Sequence, residues 1–236
     1  MASGPQAGEG RAAGLPWEVR LPERSVVPIG ARKPMACVLI APATSGEEEL
    51  RVPVAVGRRL AAGREDGTIV PDSRAELLYH VGRLSRECAR DRLNRMLSHR
   101  DYSTQEAVRR LGTDGYSEKV ASEVVARAAE VGLVDDERFA VAFIRSKVLS
   151  GWGELRIARE LRQRGIDVAE IEGWPGEFLE GSEFDRALAL ASRRSLRQRC
   201  DPKSVARFLS SRGFSSGCAL AVARQVSEEA RREASD

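Results

Sequence analysis

Apolar residues follow two different rhythms along this chain. Ala36-Cys37-Val38-Leu39-Ile40 is a continuous apolar run that Pro42 stops, and Arg51-Val52-Pro53-Val54-Ala55-Val56 is a second β-prone run beyond loop signals at 42–49. Two such runs joined by a short loop predict a β-hairpin. Pro53 has no amide hydrogen for a ladder, which places its strand at an edge or a bulge. Beyond Asp72 the spacing becomes helical, with Ala, Leu, Arg and Glu dominating and glycine recurring at intervals. Residues 1–34 are rich in Gly, Pro, Ala and Arg without periodicity and predict a disordered leader.

The glycines expose a repeat. Gly115, Gly165 and Gly213 lie 50 and 48 residues apart, and each is preceded at −4 by leucine: Leu111, Leu161 and Leu209. Position −8 is Ala107, Ile157 or Val205, position −7 is Val108, Ala158 or Ala206, and position +1 is Tyr116, Ile166 or Phe214. Spacings of −8, −7 and −4 place three apolar side chains on one helix face. Glycine then ends that helix in a left-handed cap, with the next residue set for the capping contact. A period near 50 accommodates three short helices, and such units bury little alone. The prediction is therefore a mainly α protein of nine helices: tandem three-helix repeats at 73–133, 134–181 and 182–230, in an elongated curved array. A small β-hairpin element at 35–72 precedes them, and 231–236 is a tail. Capping signals agree: Ser103-Thr104-Gln105-Glu106 matches a capping box, Asp135 and Asp136 suit a helix start, and Asp201-Pro202 puts proline at a first helical position.

Composition narrows the class. Aromatics make up only 5% of the chain, so the core must be aliphatic, and no apolar run approaches the ~18 residues of a membrane-spanning helix. The N-terminus lacks the basic start and apolar middle of a secretory signal, so residence in the cytoplasm is expected. Cys37, Cys88, Cys200 and Cys218 stand far apart and read as reduced thiols, and two histidines cannot build a His-rich metal site.

Charge is unevenly placed. Residues 1–82 are balanced, with ten bases and ten acids, so the net +3 belongs to the remainder. There, 83–100 has six arginines against Glu87 and Asp91, 167–185 has seven acids and no base, and 186–212 has eight bases against Asp201. A positive stripe suits phosphates or an acidic protein surface.

The catalytic inventory is thin. Asp135 and Asp136 point about 100° apart on a helix and have no third partner, so capping outweighs acid–base work. Gly213-Phe214-Ser215-Ser216-Gly217 matches the G-x-S-x-G elbow in letters, but that motif follows a strand and here a helix precedes it. Gly151-Trp152-Gly153 lacks the third glycine of a dinucleotide loop and reads as a tight turn. Trp152 reads as packed core, with an interface anchor as the alternative.

The segment from Leu133 to Ile166 carries a resemblance. Leu133, Asp135, Asp136, Phe139, Ala140, Gly151, Gly153, Ile157, Glu160, Leu161, Gly165 and Ile166 stand in the order and spacing of the central repeat of the RecX family, regulators of the RecA recombinase. Phe208-Leu209, Arg212, Gly213 and Phe214 resemble the family's closing segment, and the likeness runs from roughly 75 to 230. Some family members also carry an N-terminal β-hairpin. The resemblance implies a non-enzymatic, all-helical regulator without cofactor or metal, which binds RecA and its single-stranded-DNA filament and dampens ATP hydrolysis and strand exchange in recombination, DNA repair and the SOS response. Gly112-Thr113-Asp114 and Gly173-Trp174-Pro175-Gly176 depart from its pattern, the latter breaking a helix.

Candidate partner-binding residues are those the buried stripe leaves over. With Ile157, Ala158 and Leu161 inward, Arg156, Arg159 and Arg162 form the opposite face, with Arg164 at its end. Arg145, Lys147 and Trp152 flank the glycine turn, and Arg193, Arg194 and Arg197 sit in the basic block with Arg199. A monomer acting on the recombinase, with direct DNA contact in addition, is expected; a stand-alone DNA-binding helical-repeat protein is the alternative.

Overall fold

The computed structural model describes residues 14–23, 33–40, 48–195 and 201–233. The chain divides into two compact units, residues 1–100 with 107–131 and residues 101–106 with 132–236.

The first unit begins with an antiparallel sheet in the order β1 (Trp17–Arg20), β2 (Met35–Ile40), β3 (Glu48–Pro53). The register pairs Val19 with Val38 and Val38 with Leu50. The hairpin of the sequence reading is thus two strands of three. The third lies in the stretch read as leader, where Trp17-Glu18-Val19-Arg20-Leu21 alternates apolar and polar between Pro16 and Pro22, a run too short to stand as a strand without β2 beside it. Pro53 closes β3, an edge strand, where a missing amide costs nothing.

Val54–Glu65 is α1 rather than the continuation of a strand. Two β-branched valines favour extension locally, but Val56 and Leu60 at i, i+4 are fully buried, and α1 packs on the sheet and on the next helix. That helix, α2 (Arg74–Leu97), is capped by Ser73, and α4 (Glu118–Glu130) packs against it beyond α3 (Thr104–Thr113).

The second unit carries α5 (Asp136–Leu149), α6 (Glu154–Arg162), a 3₁₀ turn at Val168–Glu170, α7 (Glu183–Ser195), α8 (Pro202–Arg212) and α9 (Ser216–Glu233). Nine α-helices are therefore described, but not three per repeat. One precedes the repeats, and the middle repeat replaces its third helix by the 3₁₀ turn and the irregular stretch around Pro175. Ile171 and Leu179 still reach the core from that stretch, beside Ile144, Ile157 and Leu161 in the first case. A separate cluster joins Ala191, Val205, Leu209, Phe214 and Val222.

The three glycine columns fold alike. Gly115, Gly165 and Gly213 have φ of 95°, 80° and 91°, and their amides donate to Gly112, Arg162 and Ser210, each at 3.0 Å. The next amides, of Tyr116, Ile166 and Phe214, donate back to Leu111, Leu161 and Leu209 at 3.2, 3.1 and 3.2 Å. This double closure is the Schellman motif, and the three leucines are fully buried.

A candidate protein interface at the glycine turn of the middle repeat

The start of α5 is built by two carboxylates with separate duties. Asp135 accepts the amide of Arg138 at 2.9 Å and caps its own helix, while Asp136 accepts the amide of Thr104 at 2.7 Å and caps the start of α3. Ser103 works at the same place: its hydroxyl donates to the carbonyl of Arg164 at 2.8 Å, on the capped end of α6. Both acids are occupied as caps.

The far end of the middle repeat is joined in the same manner. Gly153 donates its amide to the carbonyl of Arg212 at 2.8 Å, and Leu155 donates to that of Gly213 at 3.2 Å. The first amides of α6 thus find acceptors in the last carbonyls of α8, which solves the orphan-group problem of both helix ends. The approach leaves no room for side chains. A β-carbon on Gly153 would stand 2.5 Å from the Gly213 carbonyl carbon, and one on Gly213 would stand 2.5 Å from the Arg156 nitrogen. Arg212 closes the joint by donating to the Ser150 carbonyl at 3.0 Å. Next to it, Ser215 caps α9 and holds the Glu183 carboxylate by its amide (2.7 Å) and hydroxyl (2.8 Å), so the elbow-like letters encode a cap.

Around this joint several predicted binding residues are already engaged. Arg156 donates to the Ser211 carbonyl at 2.9 Å and stacks 3.8 Å above the Trp152 ring. Lys147 lies over Trp152 and Phe143 at 5.0 and 5.2 Å, and Arg164 pairs with Glu160 at 2.8 Å while covering Phe143. Trp152 is half-buried and meets Phe143 edge-on, against the core of the repeat. It is a packing residue whose ring is covered by two cations.

Arg145, Arg159 and Arg162 differ. Their side chains are exposed and make no hydrogen bond or ion pair to a described residue. The sequence reading missed two neighbours, Leu149 and Leu155, which are 90% and 58% exposed. Arg145 and Leu149 stand i, i+4 on α5, and Leu155, Arg159 and Arg162 stand i, i+4, i+7 on α6, so each set lines one helix face. The two rows run into the Gly151–Gly153 turn from either side. The signal was available: Leu155 lies two positions before Ile157, off the buried stripe. Arg193 is exposed on α7, whereas the side chain of Arg194, and Arg197 and Arg199 entirely, lie outside the described residues.

Comparison with known proteins bears on this segment directly. Residues 135–173 match the family model described as RecX, second three-helix domain. The chain is 35% identical over 153 residues to the regulatory protein RecX of Halorhodospira halophila, covering 61% of this chain and 91% of that one. It is 36% identical over 138 residues to the regulatory protein RecX of a Mycobacterium species (strain JLS), covering 54% and 75%. A crystal structure of regulatory protein RecX superimposes with a TM-score of 0.50 at 17% identity, over 85% of this chain and 94% of that one, a likeness of fold. With the repeat columns, the paired caps and a relative matched over nearly its whole length, this chain belongs to the RecX family of regulatory proteins.

Proposed function

We propose that this protein binds the RecA recombinase, free or in its single-stranded-DNA filament, and lowers its ATP hydrolysis and strand exchange. It acts as a monomer in the cytoplasm, without catalysis of its own. The observation that carries the reading is the pair of unengaged rows, Arg145 with Leu149 and Leu155 with Arg159 and Arg162. Exposed leucines between cations suit a protein partner, because apolar anchors gain by desolvation while the charges steer and orient the encounter. Occupying a filament surface with these rows would block addition of the next recombinase subunit.

The test is ATP hydrolysis by the cognate recombinase on single-stranded DNA, titrated with this protein, alongside binding to naked DNA in the same buffer. Inhibition below one protein per recombinase subunit, with weak DNA binding, is the expected result. Tight, steeply salt-dependent DNA binding with hydrolysis unchanged would replace the reading by a stand-alone DNA-binding protein. Reversing both charges in R159E/R162E should raise the concentration for half-inhibition by about tenfold or more, while unfolding free energy stays within ~0.5 kcal/mol because neither side chain is engaged.

A further inference from the structure

The first unit holds a cavity that the proposed recombinase contact does not use. Its volume is about 340 Å³, at the small end of the ~300–1,000 Å³ span of small-molecule pockets. Pro34, Pro53, Val54 and Ala55 supply an apolar lining, and Lys33, Arg92, Arg95 and Asp114 supply charge. Three cations against one carboxylate leave a positive excess. Asp114 is engaged by Lys33 and by Arg92 (2.5 Å), whereas Arg95, on the same face of α2 as Arg92, is exposed and its guanidinium makes no hydrogen bond or ion pair to a described residue.

Two further features offer hydrogen-bond donors. Tyr116 lines the cavity and is only 7% exposed, yet its hydroxyl has no hydrogen-bond partner among the described residues. Burial foremost, then the Cys88 thiol and the Asp114 carboxylate, push its pKa up to about 12, so it remains a donor at neutral pH. The ring is packed and the hydroxyl is open to the cavity, where it can donate to a ligand acceptor. Pro53, Val54 and Ala55 are the start of α1, which has neither a side-chain cap nor an acid in its first turn. Its leading amides are offered no side-chain acceptor, and the positive end of its dipole lies at the cavity.

We propose that this cavity binds a phosphate monoester on a small, partly apolar body of nucleoside monophosphate size. Arg95, the remaining guanidinium nitrogens of Arg92, the Tyr116 hydroxyl and the first-turn amides of α1 receive the phosphate. The proline-lined wall takes the organic body. Asp114 holds Lys33 and Arg92 in place and sets a limit on the negative charge accepted.

Calorimetric titration of the full chain with AMP, inorganic phosphate and adenosine tests this. AMP should bind more tightly than either fragment. R95A should weaken AMP binding about tenfold, the loss expected of one charge-assisted hydrogen bond. Y116F, which keeps the ring and removes only the hydroxyl, should weaken it about threefold, with circular dichroism of both variants unchanged. Absence of binding by AMP would overturn the assignment, as would AMP binding that both variants leave unaltered. Inorganic phosphate binding as tightly as AMP would remove the organic body from the proposal, and adenosine doing so would remove the phosphate. A short single-stranded oligonucleotide competing for the same residues more tightly than AMP would overturn the small-ligand reading in favour of nucleic acid.

Discussion

Replacing Gly213 by alanine is expected to destabilise the second unit by about 3–5 kcal/mol, read by urea unfolding with Trp152 and Trp174 fluorescence. Two costs combine. The backbone at Gly213 has φ of 91°, a conformation that an L side chain adopts only under strain, and the new methyl would sit 2.5 Å from the Arg156 nitrogen and 2.9 Å from its α-carbon. Backbone cannot swing aside as a side-chain tip does, so α6 would have to part from α8 and give up the bonds from Gly153 and Leu155. G153A should act at the same joint from its other side, against the Gly213 carbonyl carbon at 2.5 Å. The control is four residues along. A β-carbon on Gly217 would meet no atom within 4 Å, and this glycine lies in the first turn of α9, so G217A should be neutral or stabilise by ~0.5 kcal/mol. Equal losses at 213 and 217 would refute the joint as a source of stability.

Removing the charge of Asp114 should cost the first unit about 2 kcal/mol at neutral pH. The carboxylate is 7% exposed and takes both Lys33 and Arg92. Those cations are 46% and 27% exposed, so solvent screening keeps the cost below that of breaking a fully sealed pair. Burial works to raise the pKa of Asp114, but the hydrogen bonds from Lys33 and Arg92 and their charges prevail and hold it below the ordinary 3.8. A lowered folded-state pKa contributes stability in full above the unfolded value, and that contribution is lost as pH falls through the folded value. Wild type and D114N should therefore differ at pH 7 and converge in acid below 3.8, followed by Trp17 fluorescence in a W152F/W174F background. A gap that persisted undiminished in acid would assign the loss to packing instead of charge.

What could be read from the chain alone was local. The three leucine–glycine columns report helix period and a left-handed cap, both decided within six residues, and all three fold as read. Asp135 as a cap is local in the same sense, and Pro175 between glycines announced the failed helix of the middle repeat. Most of what differs is decided by distant partners. Trp17–Arg20 becomes a strand only beside β2, and Val54–Glu65 becomes a helix because Val56 and Leu60 find a core, against the preference of their neighbours. Arg156 belonged by spacing to an exposed row, but the end of α8 comes up against it and takes it into the joint. Leu149 and Leu155 are legible in the sequence as apolar residues off the buried stripe, a local signal that charge spacing alone does not pick up.

The capped helix ends imply an order of assembly during synthesis. The end at Gly213 receives Gly153 and Leu155, and the end at Gly165 receives Ser103, whose near neighbour Gln105 would stand 2.8 Å from a β-carbon there. Gly115 is covered by Met35 and Pro53 of the sheet. In every case the covering residue leaves the ribosome before the cap that it covers. Each segment consequently waits with an open helix start until roughly 60–80 further residues have emerged. A nascent chain halted before Gly213 would hold α6 without its acceptors, so the middle repeat should gain its full resistance to proteolysis only once the last repeat has been made.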